Sequence, residues 1–195
     1  MPRLIGAGMR NKVMARYRPR IPGLATGRVL EIGIGSGLNV PHCSRNVTHL
    51  FGLEPSPLLR EQAADAALAA PFPVELLAAS AESIPLKSRS IDSVVSTWTL
   101  CSIPDLEVAL TEIHRVLRSE GRLLFFEHGR APDAAVSRWQ DRLSPMFRGL
   151  AGCNPHWHID TAITAAGFRM AEIERRYLEG PRFIAWHFIG QAVAE

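Results

Sequence analysis

The chain has 195 residues, of which 47% are hydrophobic and 21% charged, with a net charge of +3. That is enough apolar content for one compact core without disulfides, and three widely spaced cysteines, Cys43, Cys101 and Cys153, fit a reducing cytoplasm better than a secreted disulfide scaffold. No apolar run reaches the roughly 18 residues that a membrane span requires, and no cleavable leader is visible, so nothing directs the chain into or across a bilayer.

The N-terminal segment is basic. Arg3, Arg10, Lys12, Arg16, Arg18, Arg20 and Arg28 all precede the first acid, Glu31. Residues 1–24 read either as a solvated lid over a ligand site or as a patch for an anionic partner, which leaves peripheral membrane contact open. Tyr17 is the lone aromatic residue there, so the stacking platform of a single-strand nucleic-acid site is missing and no nucleic-acid partner is expected.

The next segment, Arg28-Val-Leu-Glu-Ile-Gly-Ile-Gly-Ser-Gly-Leu38, runs an apolar strand through an acid into Gly33, Gly35 and Gly37. Glycines are needed where a tight strand-to-helix turn adopts unusual dihedrals and lets its backbone approach a ligand. A dinucleotide fingerprint, G-x-G-x-x-G, would place its third glycine at position 38, where this chain has Leu38. A second strand, Val47 to Glu54, ends in an acid 23 residues after Glu31 and is followed by Pro55-Ser56-Pro57, which breaks the strand and opens a helix. An acid at that place accepts ribose hydroxyls in doubly wound nucleotide sites.

The E-x-G-x-G-x-G pattern resembles motif I of the class I S-adenosylmethionine-dependent methyltransferases. The resemblance implies that the glycine loop passes under the methionine end of the cofactor, that Glu31 orders the loop and the cofactor's amino group, and that Glu54 and Pro55 border the sugar. Val74 to Pro85 is similar to the family's third strand and adenine loop, with Ser80 and Ala81 at the adenine positions, where Asp-Ala is the commoner pair, and Glu82 next to them as a further cofactor residue. Ile91 to Thr97 reads as a short buried strand, and Thr97 to Ser102, including Leu100, as the loop behind the cofactor.

Strands near 28–33, 48–54, 74–79, 91–97 and 121–127 alternate with helical patterns near 38–45, 57–70 and 105–118, so a doubly wound, mostly parallel α/β sheet is expected. The helix at 105–118 carries Leu106, Ala109, Leu110, Ile113, Val116 and Leu117 on one face, with Asp105 as its cap and Gly121 after its end. Gly121 to Gly129 brings Glu127 and His128 to the carboxyl end of the fifth strand. His128 is the first candidate to serve a methyl acceptor, either orienting it or taking its proton, and His158 is the second.

Ala134 to Leu150 is a helical segment expected to kink or break at Pro145, with Trp139, Leu143, Met146, Phe147 and Leu150 as an apolar stripe. Cys153-Asn-Pro-His156-Trp-His158-Ile-Asp160 contains metal-ligand residue types at a spacing that fits no zinc finger, so it reads as a loop opening the next helix, and no metal is expected. Asp160 lies near that helix's cap and Gly167 ends it. Phe168 to Tyr177 and Phe183 to Val193, joined at Gly180-Pro181, correspond to the family's last two strands, an antiparallel hairpin that completes a seven-stranded Rossmann-like sheet.

Ser96 to Asp105, Phe125 to Gly129 and Gly152-Cys-Asn154 look most like the methyltransferase-11 type proteins, among them small thiol S-methyltransferases and their bacterial relatives. The resemblance spans about residues 12–193, and Pro155 with His156-Trp157-His158 departs from it. It implies a single domain that transfers a methyl group to a small, rather apolar acceptor, a thiol or a quinone or phenol. The alternatives are a phospholipid head-group N-methyltransferase at a membrane surface and a non-catalytic cofactor-binding protein. A thiolate needs no dedicated base, whereas an oxygen, nitrogen or carbon acceptor does.

Overall fold

The computed structural model describes residues 12–154 and 156–195. Of the expected lid over 1–24, the part before Lys12 therefore lies outside the described residues, with Arg3 and Arg10. The part that is described, helix α1 (Lys12–Tyr17) and two 3-10 turns at Arg18–Arg20 and Pro22–Leu24, packs on the sheet through Tyr17 and Ile21.

Seven strands form one sheet: β1 Gly27–Ile32, β2 Val47–Leu53, β3 Val74–Leu77, β4 Ile91–Thr97, β5 Leu117–His128, β6 Phe168–Tyr177 and β7 Trp186–Ala194. Their order is β3-β2-β1-β4-β5-β7-β6, as expected for the doubly wound class. β1 to β5 are parallel, and β7 runs antiparallel between β5 and β6. The chain builds outward from β1 to β3, then returns to the other side of β1 as β4. The carboxyl ends of β1 and β4 thus diverge at a switch point, where loops leave in opposite directions and a crevice opens.

Strand periodicity divides the core between the two faces. Leu30, Ile32, Phe51, Leu53 and Phe125 pack on one side beneath helices α3 (Leu106–Val116) and α5 (Ile159–Ala165). Val29, Leu50, Val95, Leu124 and Phe126 pack on the other with Tyr17, Ile21 and Ala66 of helix α2 (Pro57–Leu68). The apolar face of α3 is as expected, with Leu106, Ala109, Leu110, Ile113 and Val116 all at most 1% exposed.

Four local expectations are corrected. The helix near 38–45 is only a 3-10 turn, Val40–His42, because the Asn39 side chain is drawn inward and too few residues remain before β2 to wind a further turn. Leu117 opens β5 and does not end α3, and Gly121 lies inside that strand, where pairing with β4 is irregular and Glu120 adopts φ +64°. Helix α4 (Ala134–Ala151) is not broken at Pro145, the second of the two outcomes expected there, and the side chains of Met146, Phe147 and Leu150 lie outside the described residues. The connection after Gly180-Pro181 includes a one-turn helix, α6 (Arg182–Ala185), so β7 begins at Trp186, not Phe183. No helix among the described residues is long and apolar enough to cross a membrane.

Asp105 caps α3 by accepting the Val108 N–H at 3.1 Å. Asp105→Ala leaves that donor without its side-chain partner and is expected to lower the unfolding free energy by about 1 kcal/mol, read from the urea midpoint.

Candidate active site

The cleft begins where β1 ends. Gly33 and Gly35 adopt φ +66° and +56°. A Cβ on Gly33 would lie 2.5 Å from Thr99 Cγ2, so close contact with the loop after β4 requires glycine there. At Gly35 no side chain crowds the position, and the dihedral alone makes the demand while the open side faces the cleft. The Gly35 N–H donates to Glu54 Oε2 at 3.2 Å, and the Ser56 N–H to Glu54 Oε1 at 2.9 Å. Glu54, 7% exposed, therefore ties the glycine turn to the end of β2.

Two adjoining cavities of about 220 and 200 Å³ share Gly33, Glu54, Thr99 and Ser102, and together form one elongated cleft. Gly35, Asn39, Thr97 and Trp98 line one end; Pro55, Ser80 and Ala81 line the other. Several of the expected cofactor residues stand behind this wall. Gly37 packs against α2, where an added Cβ would lie 2.9 Å from Ala66 Cβ. Leu100 is fully buried in the core, because the 3-10 turn Leu100–Ser102 points it inward and leaves Trp98, Thr99 and Ser102 at the surface of the cleft. Glu82 turns to the Ser80 hydroxyl and the Asp105 N–H, and so anchors the loop that carries Ser80 and Ala81.

Glu31 also lies behind the wall, 2% exposed. Its Oε1 accepts from Asn39 Nδ2 at 2.6 Å, the same nitrogen donates to Thr97 Oγ1 at 2.8 Å, and Arg18 Nη1 donates to Asn39 Oδ1 at 2.8 Å. Burial pushes the Glu31 carboxyl up to about 8, against the opposing pull of Asn39 and Arg18. A cation entering the cleft would favour its ionised form. Arg18 and Asn39 were not singled out from the sequence as site residues, and Trp98 and Ser102 entered only as members of the loop from Thr97 to Ser102. An arginine in a basic leader and an asparagine after a glycine turn carry no motif of their own.

Trp98 adopts φ +53°, uncommon for a bulky residue. Its ring lies 4.5 Å from Phe126, its N–H donates to His187 Nε2 at 3.0 Å, and the Arg18 guanidinium sits 5.3 Å above it. His187 has Nδ1 2.8 Å from the Ala185 carbonyl, and burial lowers its pKa to about 4; the neutral ring donates from Nδ1 and accepts at Nε2.

At the end of β5 the two neighbouring candidates separate. Glu127 is buried, accepting the Ser96 hydroxyl at 2.7 Å and the Thr99 N–H at 3.0 Å, and burial raises its pKa. His128 Nε2 lies 2.8 Å from Cys153 Sγ. Burial opposes its charge, but Cys101 and Glu127 outweigh that and raise its pKa. The Cys101 thiol is held well above its usual range by its contact with Cys153 and by burial. His158 is exposed at the cap position of α5, and Asp160 sits in that helix's first turn, paired with Arg175.

A methyltransferase domain family matches residues 30–125. The chain is 31% identical over 144 residues to a phosphatidylethanolamine N-methyltransferase of Cereibacter sphaeroides, covering 70% of this chain and 66% of that protein. It is 29% identical over 181 residues to the thiol S-methyltransferase TMT1A of Homo sapiens, covering 85% and 70% respectively. A S-adenosylmethionine-dependent methyltransferase from Thermotoga maritima, described as a possible histamine N-methyltransferase, shares the fold with a TM-score of 0.69 at 21% identity, over 100% of this chain and 97% of that one.

Because the folded Glu31 pKa is raised, the folded state binds its proton more tightly than the unfolded state, and this group's contribution to stability falls as pH rises from 4.5 to about 8. Glu31→Gln is therefore expected to raise the melting temperature of the cofactor-free protein above pH 8 and to change it little near pH 5, while weakening cofactor binding about tenfold by calorimetry. An unchanged melting profile would show that the carboxyl ionises freely. The matched domain runs from β1 to β5 and supplies the residues that line the cleft apart from Arg18, and this chain belongs to the class I S-adenosylmethionine-dependent methyltransferases.

Proposed function

We propose that the protein transfers the methyl group of S-adenosylmethionine to the sulfur of a small, rather apolar thiol. Bound in the cleft, this cofactor supplies an electrophilic methyl on a sulfonium. The residues present suit it: the Gly33–Gly35 turn leaves room for a ligand against the backbone, and Glu54 presents a nearly buried carboxylate to the same space. In this reading the turn and the Asn39–Glu31 pair receive the amino-acid end, Glu54 and Pro55 the ribose, and Ser80 and Ala81 the adenine. Trp98, Thr99 and Ser102 exclude water from the reacting end, and that exclusion with in-line alignment is most of what a sulfonium displacement needs.

The observation that carries the acceptor is the group at the end of β5, where His128 meets Cys153 and Cys101. A protonated His128 would attract the anionic form of an incoming acceptor thiol, while Cys101 beside it stays a neutral thiol. A cationic amine head group would call for a carboxylate, and the one acid in this strand end, Glu127, is turned to Ser96 and Thr99. The long match to a thiol S-methyltransferase points the same way.

With labelled cofactor, the purified protein is expected to methylate small alkyl or aryl thiols in preference to phenols, quinones or phosphatidylethanolamine vesicles. His128→Ala should bind the demethylated cofactor as before and methylate thiol about 10²-fold more slowly. An unchanged rate removes His128 from catalysis, and methylation of the vesicles alone replaces the thiol with a lipid head group.

A further inference from the structure

Three side chains from separate elements converge beside the cleft: Cys101 from the turn after β4, His128 from the end of β5 and Cys153 from the loop between α4 and α5. Their ligand atoms all lie within 4.8 Å of one another, with Cys153 Sγ 2.8 Å from His128 Nε2. The Asn154 N–H donates to the Cys101 carbonyl at 2.7 Å, so the loop bearing Cys153 is tied to the turn bearing Cys101. Ser102, next to Cys101, lines both parts of the cleft. All three cysteines of the chain are free thiols. Each member of the cluster also falls in a different one of the three segments that resemble the thiol S-methyltransferases.

We propose that Cys101, His128 and Cys153 form a binding site for a thiophilic divalent cation, zinc, with its fourth position left for the acceptor. Two thiolates and one imidazole make a ligand set known for catalytic zinc, and two thiolates neutralise the ion's charge. Zinc–sulfur bonds of about 2.3 Å and zinc–nitrogen bonds of about 2.0 Å in a tetrahedron separate neighbouring ligand atoms by about 3.5–3.8 Å. The Cys153–His128 pair meets this by parting by under about 1 Å, and the pairs with Cys101, within 4.8 Å, by closing no more than about 1.3 Å, shifts within reach of side-chain rotation. Without a cation, two weakly bonding thiols share one imidazole; with it, each ligand gains a strong partner.

The use of the fourth position rests on the thiol acceptor proposed above. On coordination the acceptor thiol loses its proton to water. A sulfur lone pair then forms the new S–CH3 bond while the methyl–sulfonium bond breaks, its electron pair returning to the sulfur of the cofactor. The methylated product is a neutral thioether, a poorer ligand than a thiolate, and leaves.

The test is metal content in protein produced with zinc, purified untagged and reduced, without chelator. Mass spectrometry of the metal is expected to find stoichiometric zinc in the native protein and in Cys43→Ser, and at least a tenfold loss in Cys153→Ser. Cobalt added to the metal-free protein should give thiolate-to-cobalt charge-transfer bands that Cys153→Ser lacks. Cys153 lies in a partly exposed loop, so this variant carries the test even where the buried Cys101→Ser fails to fold; circular dichroism and calorimetry with the demethylated cofactor verify its fold. A folded, reduced native protein that takes up neither metal, or a Cys153→Ser variant that retains zinc, overturns the site. If zinc binds as expected and no thiol is methylated, the site stands and the thiol acceptor falls. Undiminished thiol methylation in metal-free protein overturns the catalytic use of the ion.

Discussion

Asn39 donates to Glu31 and to Thr97 through one nitrogen and accepts from Arg18 at its oxygen. This amide joins the end of β1, the turn after the glycines, the end of β4 and the N-terminal segment at the foot of the cleft. A carboxyl as buried as Glu31 is tolerable only while hydrogen-bonded, and Asn39 supplies that bond without neutralising the group. The glycine turn above it, held on its other side by Gly35 and Glu54, can then keep left-handed dihedrals that an unsupported loop would lose.

The antiparallel strand β7 contributes a constraint of another kind. Lying between β5 and β6, it brings His187 beside the indole of Trp98. A neutral imidazole with Nδ1 committed to a backbone carbonyl offers Nε2 as a fixed acceptor. Together with Phe126 below and Arg18 above, it holds Trp98 in a backbone conformation that would otherwise relax. This side of the cleft is thus built from the segment that carries Arg18 and from the last strand as well as from the loop after β4.

Burial assigns different work to neighbouring residues. Glu127 and His128 are consecutive at a strand end, so they face opposite sides of the sheet. Glu127 is taken up by Ser96 and Thr99, while His128 meets sulfur from two other elements. Cys153 stood out in the sequence beside His156 and His158, yet its partners in space are Cys101 and His128. His156 pairs instead with Asp141, and His158 is exposed.

The sequence alone determined the parts set by local chemistry: the glycine turn, the acid at the end of each of the first two strands, the amphipathic face of α3 and the alternation that makes the sheet doubly wound. These are legible because strand and helix periods, capping and left-handed glycine are properties of a few consecutive residues. The tertiary structure decided which side chains reach the cleft. Leu100 and Glu82 carry motif positions but turn away, whereas Arg18 and Asn39 enter without a motif, because burial depends on what packs across the sheet. The clustering of Cys101, His128 and Cys153 was likewise invisible in the chain, since their 25- and 27-residue separations have no period and only the strand order, with one loop hydrogen bond, brings them together.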